Sequence, residues 1–164
     1  MKKLTALIAS AFLISSASTI YAEDSLTVSI KRLTMESANK IATEAMLACR
    51  KMGIQVTATV VDKHGLVQAL ARDTLAPHVS LRISKMKAYT AANFTANTSQ
   101  LKRQSESPIG RVPGLVMSDG AVIISAGGIV YGAVGVSGAP SGTTDEQCAQ
   151  AGLDAILEDL EMAD

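Results

Sequence analysis

Apolar and polar positions follow two periods along this chain, and the switches between them mark out the elements. After Thr34, the residues Ala38, Ile41, Ala42, Ala45, Cys49 and Met52 recur at helical spacing until Gly53, which predicts a helix capped by Thr34. Residues 55–62 then change to a period of two. Val56, Ala58 and Val60 point one way and Gln55, Thr57 and Thr59 the other, as in a half-buried strand. Asp62-Lys63-His64-Gly65 has turn residues at its first and last positions, and residues 66–72 return as the second strand of a β-hairpin. Past Pro77 and His78 a second helix is predicted over about 79–96. Val79, Ile83, Met86, Thr90 and Phe94 line one face, with Lys87 and Ala91 beside it.

Residues 97–120 fit neither period. Thr98 is a candidate cap for a short helix through Arg103, and Pro108, Gly110, Pro113 and Gly114 break any regular element beyond it. A connection this long inside a compact domain is usually functional or disordered. Residues 121–125 and 129–136 read as strands around Gly127-Gly128, a pair suited to the positive φ angles of a tight hairpin turn. A Gly/Ser/Pro loop over 137–142 leads to Thr143, which with Glu146 three residues on forms a capping box. The last helix buries Ala149, Gly152, Leu153, Ile156 and Leu160. The order α-β-β-α-β-β-α, with two hairpins, predicts an α+β fold in which helices pack on an antiparallel sheet.

A length of 164 residues indicates one folded domain, and the first 22 residues read differently from the rest. Met1-Lys2-Lys3 precedes an apolar run over 4–14, then a small, Ser-rich stretch ending at Ala22 before Glu23-Asp24. This is the pattern of a secretory signal, with an uncleaved anchor as the alternative. The apolar run is short for a membrane span. The expected organisation is a signal over 1–22, an extension over 23–32 and the domain over 33–164, in a periplasmic or secreted protein with no stable membrane anchor after cleavage.

Loss of residues 1–22 removes Lys2 and Lys3 and no acid, leaving 13 basic and 15 acidic side chains. That balance excludes a general nucleic-acid binder. The charge is uneven: residues 72–111 hold seven bases against Asp73 and Glu106, whereas residues 112–164 hold eight acids and no base. Such asymmetry marks either an anion site or solvated helix faces. With no Trp and two Phe, the core must be built of small and β-branched side chains, which also suit close self-association. Cys49 and Cys148 both fall on predicted helices. They form a disulfide if those helices pack side by side, and are otherwise two buried thiols.

The inventory of chemistry is short. There is no phosphate-binding GxxxxGK[ST], no HExxH, no CxxC and no nucleophile elbow. Of the two histidines, His64 sits in the hairpin turn, where a solvated role is expected. His78 stands before a helix with Arg82, Lys85 and Lys87 after it. The residues alone leave it as a plain helix start or as a metal-ligating imidazole beside cations. Gly132, Gly135 and Gly138 lack the order of a nucleotide loop and fit close backbone approach to a neighbour or ligand.

Several segments occur together in a telling order: Val61-Asp62-x-x-Gly65, Arg72-Asp73, Lys87-Ala88-Tyr89-Thr90-Ala91, residues 132–138 (GAVGVSG), Asp145-Glu146 and Ala149-Gln150-Ala151-Gly152. In combination, over about residues 33–160, they resemble the GlcG/HbpS-like family, which includes the C-terminal domain of PduO-type proteins. The resemblance implies a profilin-like domain, homo-oligomers and binding of haem, with haem degradation in some members. Ala76-Pro77-His78 is similar to a subgroup with a Pro-His pair there, which implies His78 as an axial ligand to iron. Arg82, Lys85 and Lys87 are then the partners of the propionates. Thr90, Gly135 and Ser137, within the shared segments, complete the implied cofactor-binding set. One departure stands out: Asp119-Gly120 occupies a place where many members carry Gly-Gly, and an acid there either repels propionates or caps a turn. The residues and the resemblance together admit three readings: an exported haem-binding protein, a haem-degrading enzyme, and an accessory oligomer without a cofactor. The haem readings expect an apolar slot beside a cluster of positive groups near the Pro-His pair.

Overall fold

Thr34 opens the first helix as expected, its side-chain oxygen accepting the Ser37 amide at 3.2 Å. In the computed structural model, which describes residues 25–163, this helix α1 spans Met35–Lys51 and ends ahead of Gly53, which adopts a φ of 76°. The proposed signal lies outside the described residues. Residues 31–163 form one compact unit, while residues 25–30, in a separate unit, contain no helix or strand.

Strands β1 (Thr57–Asp62) and β2 (Val67–Arg72) form the first hairpin, and β3 (Ala121–Ala126) and β4 (Ile129–Ser137) the second. The sheet runs β2-β1-β4-β3, antiparallel throughout, so β1 and β4 are the two central strands. On one face Val56, Ala58, Val60, Ile124, Val134 and Val136 meet α1 and the last helix, α4 (Gly142–Met162). At the crossing of these two helices Gly152 leaves no room for a side chain, since a Cβ there would lie 2.6 Å from the Ile41 carbonyl oxygen and 2.7 Å from Ala45 Cβ. The close approach brings Cys49 and Cys148 together, and they form a disulfide with Cα atoms 5.5 Å apart.

The other face is covered by α2 (His78–Phe94), and here the structure departs from the periodicity. The buried residues are Ser80, Ser84, Lys87, Ala88, Thr90, Ala91 and Ala92, whereas Val79, expected inside, is 57% exposed. The reason lies in the sheet beneath. It presents Thr57, Thr59 and Gly135 to the first turns, and beyond them Val61, Ala121 and Ala133 meet Ala88, Ala91 and Ala92, so small and hydroxyl side chains fit against it better than large apolar ones. Thr57 and Ser80 hydroxyls pair at 2.7 Å, Thr59 and Ser84 at 2.8 Å. Gly135 lies directly under the Ser84 carbonyl and Ala88 backbone of α2, closer than any side chain permits. Because both faces are covered, β1 is buried at all six positions rather than half-buried.

Residues 97–120 hold a 3₁₀ turn (Thr98–Leu101), a single turn of helix α3 (Lys102–Ser105) and a second 3₁₀ turn (Pro108–Arg111). Thr98 does not cap the first of them. Its hydroxyl accepts the Ala121 amide at 2.9 Å, and Asn97 Oδ1 accepts that of Ile123 at 3.0 Å, so the segment satisfies the outer edge of β3 with side chains. The expected capping box at Thr143 also gives way. Ser141 is the N-cap of α4, accepting the Thr144 amide at 3.1 Å. Glu146 turns instead to the Ser99 hydroxyl and the Gly120 amide.

Candidate functional site

The connection from β2 to α2 places the residues that sequence patterning singled out. Pro77 is the N-cap of α2 and offers no side-chain bond. Its carbonyl accepts the Ser80 amide at 2.9 Å and the Ser80 hydroxyl at 2.6 Å. His78 is thus the first residue of the helix, and Arg82 and Lys85 come on the same side one and two turns later. All three are exposed, as are Leu75 and Val79. Helix α2 contains no acid, and its N-terminal dipole adds to the positive field of its first turns. The outward side of this half-helix therefore joins an accessible imidazole, two cations and apolar surface.

The other candidate residues lie elsewhere. Lys87 is buried, and its ammonium donates to Asp145 Oδ2 at 2.8 Å and the Val136 carbonyl at 3.2 Å. Asp145 Oδ1 accepts the Ala139 amide at 2.9 Å. Burial raises the Asp145 carboxyl above its ordinary value, outweighing the Lys87 hydrogen bond that pulls it down. Gly120 admits this pair, since a Cβ there would lie 2.5 Å from Lys87 Nζ. Thr90 is buried too, donating to the Met86 carbonyl at 2.8 Å and accepting the Val116 amide at 2.9 Å. Gly135 and Ser137 are buried in β4. The structure therefore brings His78, Arg82 and Lys85 together on the surface, and buries Lys87 against α4 and β4, Thr90 against the connection at Val116, and Gly135 and Ser137 in the sheet.

No cleft opens at the Pro-His pair among the cavities described. One of 280 Å³ is lined by residues that include Lys31, Leu33, Tyr131 and Leu160, and one of 220 Å³ lies between the start of α1 and the end of α4. A third, of 250 Å³, is lined by Ser99, Asp119, Thr143, Glu146, Gln147 and Gln150, so Asp119 does not face His78 across a shared cavity. The expected apolar slot is not among the cavities described, and His78, Arg82 and Lys85 stand on an exposed face of α2. Among the described residues no group of three or more His, Cys, Asp or Glu could hold a metal ion, and no helix is long and apolar enough to cross a membrane.

Two further residues near the candidate site were not singled out as site residues by the sequence. Arg50, in the last turn of α1, grips Asp73 with two bonds, Nε to Oδ2 at 2.8 Å and Nη2 to Oδ1 at 2.9 Å. This grip holds the Asp73 carboxyl below the ordinary aspartate value of 3.8, with help from the Thr74 amide and against the effect of burial. A lowered pKa means stability that is present above the unfolded value and lost as pH falls through the folded one. The stability gap between wild type and Asp73→Asn should therefore shrink as pH is lowered from about 5 to about 2. Urea titrations at several pH values measure it, and a constant gap would contradict the assignment. The Arg72-Asp73 dipeptide was the only sequence trace of this pair.

A family model described as "Haem degrading protein HbpS-like" matches residues 33–154. HbpS of Streptomyces reticuli, solved as a double mutant, is 34% identical, with a TM-score of 0.76 over 87% of this chain and 99% of its own. A Klebsiella pneumoniae protein named ORFY (23% identity, TM-score 0.74, 82% of this chain and 97% of its own) shares the fold. So does PduOC, solved as a haem complex (23% identity, TM-score 0.70, 77% and 96%). No curated protein matches the chain. The match over most of the folded unit, the shared α+β architecture and the identity to HbpS together establish that this chain belongs to the HbpS-like family.

Proposed function

We propose that this protein is an exported, oligomeric haem-binding protein that takes up its ligand on the outward face of the first half of α2. The observation that carries the reading is the exposed set of His78, Arg82 and Lys85 on an acid-free helix, beside Leu75 and Val79, in an HbpS-like chain. The donor set suits the chemistry of haem. An imidazole is a common protein ligand for its iron, two cations match its two propionates, and apolar side chains match the macrocycle. His78 would hold the iron, Arg82 and Lys85 the carboxylates, and Leu75 and Val79 the edge of the ring. Bound haem supplies redox-active iron at that face. The chain itself supplies anchoring and charge, and a single copy leaves the face open to water. A second copy covering it would exclude water, which is why the oligomer belongs to this reading.

Export has its own support. The Cys49–Cys148 disulfide is of the kind that persists in oxidising compartments, and it agrees with a secretory signal over residues 1–22. The site is tested by titrating the purified protein with haemin. A saturable Soret shift is expected in the wild type and a weakened or altered one in His78→Ala; identical spectra and affinity in the two would remove His78 as the ligand. The family description favours haem degradation as a second reading. Bleaching of the bound form by ascorbate or peroxide much faster than free haemin would select it. No saturable shift at all would leave an accessory oligomer.

A further inference from the structure

We propose that Arg50 and Asp73 are positioning residues for His78, setting the course of the loop that carries it; this rests on the haem-binding reading above. The connection from β2 to α2 is five residues long, 73–77, and side chains from three other places hold it. Arg50 of α1 grips the Asp73 carboxylate with both prongs of its guanidinium. Gln55, ahead of β1, accepts the Leu75 amide at 2.7 Å. Arg72 at the end of β2 donates to the Ala76 carbonyl. Asp73 binds inward as well: its amide donates to the Val56 carbonyl at 3.0 Å, its carbonyl accepts the Ala76 amide at 3.1 Å, and its carboxylate accepts the Thr74 amide at 2.7 Å.

The fork geometry of Arg50 fixes direction as well as distance, which a single-point contact does not. Asp73 is buried, so without Arg50 its charge would keep only the Thr74 amide and would turn toward water, undoing the bend it organises. Pro77 passes such a shift on. Its ring fixes φ near −56°, so displacement of residues 73–76 is not absorbed there and arrives at His78. The rest of α2 has separate anchors in Thr57–Ser80, Thr59–Ser84 and Lys87–Asp145. The helix axis can therefore stay in place while its first residue moves.

The experiment compares wild type with Arg50→Met, Arg50→Lys and, as a stability control remote from the loop, Ile156→Val in α4. Amide hydrogen exchange of residues 74–80 is measured on the haem-free proteins, and haemin is then titrated into each. Arg50→Met should expose the bonded amides of this segment, those of Thr74, Leu75, Ala76 and Ser80, to faster exchange while those of β1 and β4 keep their protection. If the competent loop geometry falls to about one tenth of the population, haemin affinity falls about tenfold. Arg50→Lys should restore part of both effects, and Ile156→Val should change neither. Unaltered exchange at 74–80 in Arg50→Met overturns the proposal, as does faster exchange with wild-type haemin affinity and an unshifted Soret band. Should the wild type take up no haemin, the haem reading fails, and the exchange data still decide whether the pair fixes the His78 loop.

Discussion

Replacing Cys49 and Cys148 together by alanine should cost about 4 to 5 kcal/mol of folding stability. The bridge joins residues 99 apart, and closing so long a loop removes that much chain entropy from the unfolded state. The cost falls on a domain whose core is short of large side chains. The buried face between the sheet, α1 and α4 is mostly Ala, Val, Ile and Leu, with Tyr131 its one aromatic among the buried core residues described. Such a core has little surplus against a total stability of about 5–15 kcal/mol. Urea unfolding of wild type and double variant, with and without reductant, measures the effect. The wild type in reductant should approach the variant once unfolded, while the native bridge, wholly buried, should resist reduction. A double variant as stable as wild type would show that packing of α1 on α4 already fixes the loop.

Lys87→Met should be the most damaging single substitution on the α2 side, at about 3–5 kcal/mol. Lys87 joins three elements: α2, which carries it, α4 through Asp145, and β4 through the Val136 carbonyl. Removing it leaves a buried carboxylate with only the Ala139 amide for compensation. Burial already raises the Asp145 carboxyl, and loss of the ammonium raises it further. A group whose folded pKa lies above its unfolded one loses stability as pH rises through the folded value, so Lys87→Met should be least damaging in acid and worsen toward neutrality. The companion variant Lys87→Met/Asp145→Leu should recover much of the loss, because an apolar pair of similar volume needs no desolvation. Thermal unfolding across pH decides the matter, and a pH-independent loss would point to packing alone.

Much of this fold was legible because α1 and the two hairpins carry their periods openly. Thr34, Gly53, Gly65 and the Gly127-Gly128 turn stand where the sequence puts them. The buried face of α2 was not legible, for a physical reason: the surface under its first turns is hydroxyls and glycine, so Ser80 and Ser84 go inward and Val79 goes out, and beyond them only alanines fit against Val61, Ala121 and Ala133. Local capping rules also lost to longer-range partners. Glu146 was free to close a capping box but serves Ser99 and Gly120, and Thr98 serves Ala121. At the candidate site, the sequence set His78 ahead of the helix, whereas as its first residue it shares a face with Arg82 and Lys85. Lys87 shares their stretch of sequence and their charge, yet its interior partner lies 58 residues downstream. Arg50 and Asp73 meet only because α1 packs along β2, and neither residue type nor local spacing announces that.

The two layers on either side of the sheet differ in how much hydrocarbon they hold. Hydrocarbon packing under α1 and α4 loosens on cooling as water loses its aversion to apolar surface. The apolar cluster under α2 is smaller, Val61 with five alanines, and the hydroxyl pairs and the ion pair beside it draw on no such aversion. In the cold, the interface richer in hydrocarbon should weaken more, leaving α2, with its imidazole, as the better-held half of the molecule.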